Sequence, residues 1–309
     1  MKDIEKQPVL EIEDLTVSFS MYDKGLNKKN LEVVHSLNLS VMKGEILAVV
    51  GSSGSGKSIL AHSIMGILPK NAKAKGVIKF NGEELTIKKQ KKYRGKDISF
   101  IPQSVNYLDP LMRIDKQVIG VRGNKLKQEQ VFKRYGLDKE VGRLYPFQLS
   151  GGMARRVLIA TAIMEDPKLI IADEPTPGLS KDMALETLKH FRELADKGCG
   201  ILLITHDIDL ALSVADRIGV FYAGTTVEIA NVDDFKKGKD SLRHPYSKAF
   251  IDALPQNDFK PIEGFQPYAG KLPSGCLFAD RCNMKTEECN KEIKMTSIRG
   301  GEVRCIHAT

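Results

Sequence analysis

Gly51-Ser52-Ser53-Gly54-Ser55-Gly56-Lys57-Ser58 fits the pattern G-x-x-x-x-G-K-[ST] at every fixed position and predicts a phosphate-binding loop. An apolar run, Ile46 to Val50, leads into it as a buried strand would. Behind it Leu60, Ile64, Ile67 and Leu68 recur at helical spacing. That is the strand, loop, helix context the motif requires. Glycines let consecutive backbone N–H groups point into one concavity, the helix N-terminus adds partial positive charge, and Lys57 supplies a cation. The ligand such a nest fits is a nucleotide's phosphates, with the Ser58 hydroxyl on the magnesium that bridges the outer ones.

The loop sits in a chain of 309 residues, 42% of them hydrophobic, which suits one large domain or two smaller ones. No apolar run approaches the roughly 18 residues of a membrane helix. Met1 to Lys6 lack a signal peptide's apolar core, so a cytoplasmic protein that does not cross the membrane is expected. The net charge of +8 owes much to lysines between Lys70 and Lys96. No aromatic residues interleave them, so they read as a solvated face and no nucleic-acid partner is expected.

Leu10 to Phe19 and, more loosely, Val33 to Val41 alternate apolar and polar residues, which predicts an antiparallel β-layer ahead of the loop. Val77 to Phe80 with Asn81-Gly82 reads as a hairpin, and Ile98 to Ile101 as a buried strand ended by Pro102 and Gln103. Leu149-Ser150-Gly151-Gly152-Met153 opens a helix, with Ser150 as its cap and two glycines forming a second phosphate-facing surface. Leu169 to Ala172 then form a strand of central parallel type ending in Asp173 and Glu174. Asp173 is expected to hold magnesium through a water, and Glu174 to orient or deprotonate the attacking water. Asp182 to Ala195 reads as an amphipathic helix and Ile201 to Ile204 as another buried strand, followed by His206 where open α/β sheets place ligands. A lone histidine is more often structural; here its position argues for function. Arg217 to Tyr222 and Thr226 to Ala230 close the sheet around Gly224. Of the five cysteines, Cys199 reads as a packing residue, while Cys276, Cys282, Cys289 and Cys305 crowd the tail and point to a metal rather than to disulfides.

With these residues in order, the chain resembles the nucleotide-binding subunits of ATP-binding-cassette transporters over roughly residues 10 to 235. The resemblance implies an α/β P-loop fold with a mixed central sheet, an antiparallel β-subdomain and a helical subdomain. The cassette would occupy residues 1–240, its helical part about 104–165, and a small Cys-rich extension 241–309. It implies ATP hydrolysis, with Gly51 to Ser58 on the phosphates and Gln103, also a magnesium ligand, in the loop that senses the γ-phosphate and the membrane partner. Leu149 to Met153 would be the signature that reaches a partner subunit's ATP, Asp173 the magnesium carboxylate, Glu174 the catalytic one and His206 the switch histidine. An aromatic residue stacking on adenine is also implied; Phe19 fits best and Tyr22 second. Two positions depart from the pattern. Pro177-Gly178-Leu179-Ser180 lacks the usual aspartate that contacts the opposing subunit, and Arg155 stands where glutamine is usual.

His244-Pro245-Tyr246-Ser247-Lys248-Ala249-Phe250, Ala253-Leu254-Pro255 and the spacing Cys-x5-Cys-x6-Cys-x15-Cys look like the extension of oligopeptide, dipeptide and nickel import ATPases. That subfamily implies an iron-sulfur cluster of the 4Fe-4S type on the four cysteines. Thiolates of this spacing would also suit zinc, although paired C-x2-C ligands are missing. The partners implied are a paralogous ATPase in a heterodimer, two integral membrane permease subunits and, indirectly, an extracellular solute-binding protein. The chain would then sit peripherally on the cytoplasmic face of the membrane. A cassette ATPase acting on nucleic acid or ribosomes is the competing reading. One phosphate loop and no long heptad run count against it.

Overall fold

The computed structural model describes residues 7–22, 27–120, 123–254, 257 and 259–309. Met1 to Lys6 and Pro255 lie outside the described residues. In chain order the strands are β1 Pro8–Tyr22, β2 Lys28–Met42, β3 Ile46–Gly51, β4 Ala72–Phe80, β5 Glu83–Glu84 and β6 Ile98–Ile101. They continue as β7 Leu169–Asp173, β8 Gly200–Ile204, β9 Arg217–Tyr222, β10 Thr225–Asn231, β11 Thr296–Ile298 and β12 Gly301–Val303. One sheet runs β2-β1-β4-β5 and is antiparallel; the other runs β11-β12-β10-β9-β3-β8-β7-β6.

Within the larger sheet the ladders joining β6, β7, β8, β3 and β9 are parallel, and those from β9 through β10 and β12 to β11 are antiparallel. The central strands are continuous apolar runs because both faces are covered. Ile46, Ala48 and Val50 join one buried cluster with Ile170, Ala172, Ile201 and Leu203. The alternate residues Leu47 and Val49 join Leu169, Ile171, Leu202 and Ile204 in a second cluster shared with β1 and β2. Burying each such side chain contributes about 1.5–3 kcal/mol. The β-layer is therefore clamped to the sheet beside the phosphate loop.

Between β6 and β7 the helices Ile114–Ile119, Lys125–Arg134 and Gly151–Ile163 pack on one another. Asn81 and Gly82, with φ of 49° and 78°, make the predicted turn between β4 and β5. The tail is more integrated than a separate extension would be. Its hairpin β11-β12 adds to the edge of the main sheet, Val303 pairing with Glu228 of β10. Arg243, 1% exposed, stitches that junction. Its guanidinium meets Glu228 at 3.3 Å and Asp234 at 2.8 Å, and donates to the carbonyl of Ile298 at 2.6 Å. Glu228, fully buried, also accepts the backbone N–H groups of Arg243 and His244.

Candidate nucleotide site

The C-terminal ends of β3, β6, β7 and β8 converge on a cavity of about 620 Å³. β3 runs directly into the loop through Gly51, where an added Cβ would lie 2.4 Å from the Phe221 carbonyl oxygen. The helix Lys57–Met65 starts behind Gly56, at φ 97°, a left-handed conformation glycine adopts without strain. Ser53, Gly54, Ser55, Gly56, Lys57 and Ser58 line the cavity. Lys57 Nζ donates to the carbonyls of Gly51 at 2.8 Å and Ser52 at 2.9 Å. Its burial pushes its pKa below the usual lysine range, against the pull of Glu174 and Asp173. Ser52 turns away from the cavity group: its hydroxyl donates to Gln266 of the tail at 3.1 Å.

Opposite the loop stand Gln103, Asp173, Glu174 and His206. Asp173, buried, accepts a hydrogen bond from Ser58. Burial raises its carboxyl above the ordinary range, and the Ser58 hydroxyl is the largest influence opposing that rise. Hydroxyl, amide oxygen and carboxylate are hard oxygen donors, so Ser58, Gln103 and Asp173 form a set that fits magnesium. Glu174 has φ of +50°, a strained conformation that turns its carboxylate out of β7 just before Pro175. Its Oε2 lies 2.6 Å from His206 Nδ1. A carboxylate can only accept, so the imidazole carries its proton on Nδ1 and donates. His206 is thereby held at the edge of the cavity with its Nε2 free of that bond.

The signature residues lie elsewhere. Ser150 caps the helix Gly151–Ile163, accepting the Met153 N–H at 3.3 Å, and Leu149 and Met153 pack on the core. None of Leu149 to Met153 lines this chain's phosphate cavity. Phe19 does not line it either: it sits within β1, paired with Leu31 and Ala72, and packs against the β-layer core. Tyr22, at the strand end, is 67% exposed, with Lys28 Nζ 5.7 Å from its ring centre. Val33 lines the cavity instead, a position whose alternating pattern gave no functional signal.

The four tail cysteines lie near one another. Cys276, Cys282, Cys289 and Cys305 gather closely enough that Cys305 senses the other three electrostatically, and Cys276 N–H donates to the Cys289 carbonyl at 2.8 Å. Yet among the described residues no group of three or more His, Cys, Asp or Glu side chains is arranged to hold a metal. Burial keeps Cys305 protonated, its pKa pushed up to about 11. Cys199 is a buried packing residue, as its setting predicted.

Loop, carboxylates and parallel sheet together define a P-loop enzyme that hydrolyses nucleoside triphosphates. The family model described as ABC transporter matches residues 34–177, and that described as oligopeptide/dipeptide transporter, C-terminal region, matches 227–289. The chain belongs to the ABC transporter family of ATP-binding subunits, in the branch that carries this C-terminal region. It is similar to the oligopeptide transport ATP-binding protein OppD of Haemophilus influenzae, 33% identical and covering 96% of both chains. It is similar also to AppD, an oligopeptide transport ATP-binding protein of Bacillus subtilis, at 34% identity over 96% of both. Among solved structures, a dimeric ATP-binding cassette bound to ADP and Pi superposes with a TM-score of 0.64, covering 72% of this chain and 98% of that one. At 24% identity that likeness is one of fold. The chain is the ATPase of a membrane ABC importer.

Proposed function

We propose that the importer takes up oligopeptides or dipeptides, and that Glu174 carries the hydrolytic step. The single observation behind this assignment is the convergence of Lys57, Ser58, Gln103, Asp173, Glu174 and His206 on one cavity. Lys57 and the loop's backbone N–H groups bind the β- and γ-phosphates. Ser58, Asp173 and Gln103 would hold magnesium, which when bound would supply charge neutralisation at the phosphates. Glu174 takes a proton from the attacking water, and His206, bonded to it, keeps the carboxylate aimed at the γ-phosphate. Peptide cargo is supported by the names its relatives carry; the nickel or metal-chelate cargo expected alongside it has no support.

Because the signature lies outside this cavity, it serves a second nucleotide, and two ATPase subunits sandwich ATP between loop and signature. We assign the second subunit to a paralogue, since a symmetric pair would place Ser180 at both sites. Permease subunits would dock in a groove of about 530 Å³ beside the Gln103 loop, lined by Phe100, Pro102, Tyr107, Leu108, Met112 and Val118. No helix among the described residues is long and apolar enough to cross a membrane. Attachment through this groove would be peripheral, on the side where ATP is available.

Purified with its membrane partners and placed in vesicles, the chain should drive ATP-dependent peptide accumulation. Glu174→Gln should reduce hydrolysis by about 10²–10⁴-fold with ATP still bound, the range for a positioned base. Wild-type hydrolysis by Glu174→Gln would refute its role. Purification without membrane proteins, and with nucleic acid or ribosomes, would favour the competing reading.

A further inference from the structure

The position where the family pattern has glutamine holds Arg155, 5% exposed on the second turn of the helix opened by the signature. Its Nη1 donates to the Pro102 carbonyl at 2.6 Å, and its Nη2 donates to the Gln103 carbonyl. Its Nε–H is buried with no acceptor among the described residues. Burial pushes its pKa down, while Asp173 and Glu174 pull it up. A buried guanidinium with one donor unmet is a costly way to fill space, and packing alone gives no reason for it. What the side chain does is geometric. A rigid fork holds two consecutive carbonyls, and so fixes the peptide plane from which the Gln103 side chain enters the phosphate cavity. Glutamine at this position has one amide group with which to donate, and lysine a single ammonium without the planar fork.

We propose that Arg155 is a positioning residue for hydrolysis. It acts through Gln103, locking that loop to the signature helix, so that Gln103 meets magnesium and the γ-phosphate without a prior ordering step. The inference rests on the ATPase assignment, and wild-type hydrolysis is therefore measured first: its absence would count against that assignment and not against Arg155. Hydrolysis is then compared in the full chain, purified with its membrane partners, for Arg155→Met, Gln103→Ala and the double variant. Arg155→Met should cut turnover at least tenfold while KM for ATP changes less than threefold. In the Gln103→Ala background the same replacement should change turnover less than twofold, because the group it positions is gone. Arg155→Lys, which keeps a charged ammonium but loses the planar fork, should recover part of the loss. Losses that multiply in the double variant would overturn the proposal, as would a loss confined to KM. Should Arg155→Met fail to fold by thermal melt, Arg155→Gln takes its place in the same cycle, and multiplying losses or a loss confined to KM would again overturn the proposal.

Discussion

Asp173 and Glu174 are neighbours in sequence and opposites in surroundings. Asp173 ends the buried face of β7 and hydrogen-bonds Ser58, while Glu174 leaves the strand at positive φ and pairs with His206. Burial raises the Asp173 carboxyl, so its ionised form is less favourable in the native chain than in the unfolded one. At neutral pH it therefore destabilises the metal-free protein, a cost that disappears as pH falls through the raised value. Asp173→Asn should raise the melting temperature without nucleotide, and should abolish the further rise that magnesium and ATP give the wild type. A thermal melt with and without both ligands checks the two directions at once. The pair was legible as an apolar strand ending in carboxylates. Their separate roles were expected too, but the turn at positive φ that gives them opposite surroundings was not, because it depends on how β7 meets the segment after it.

At the level of elements, the tail is held by polar burial. His244 caps the helix Pro245–Asp252, its Nδ1 accepting the Tyr246 N–H at 2.9 Å. Complete burial pushes its pKa down to about 3, from an unfolded value of 6.5. Between those values the unfolded chain binds a proton that the native chain refuses, so stability rises with pH. This contribution is fully present above pH 6.5 and is lost as pH falls toward 3. His244→Asn keeps a capping oxygen but cannot titrate. Urea unfolding at several pH values should therefore show a shallower loss of stability below pH 6.5 for the variant, by up to about 1.4 kcal/mol per pH unit. An unchanged slope would place the acid sensitivity elsewhere. The stretch His244 to Phe250 was legible as part of an importer-type extension. The hairpin β11-β12 was not, since its short strands gain their order from pairing with β10 and from the Arg243 carbonyl contacts.

For the whole molecule, the proposed pairing with a second subunit turns on Ser180. Ser180 spends its hydroxyl capping the helix Lys181–Asp196, accepting the Met183 N–H at 3.4 Å. Aspartate caps helices equally well, so Ser180→Asp should preserve the fold while returning a carboxylate to the face turned toward a second subunit. In a Glu174→Gln background, ATP-dependent self-association should strengthen by about tenfold, or ~1.4 kcal/mol. Light scattering across a concentration series measures it, and no change would remove the basis for preferring a paralogous partner. The sequence by itself determined the phosphate loop, the buried parallel strands and the carboxylates that follow one of them. Each of these is written in local spacing, where a loop needs its glycines and a doubly covered strand needs an unbroken apolar run. Only the tertiary structure decided what side chains distant in sequence do to one another. It sent Phe19 to the β-layer core, closed Arg155 on the Gln103 loop, drew the tail into the main sheet, and brought four thiols near one another. Those outcomes depend on which surfaces meet in three dimensions, and no periodicity along one segment encodes them.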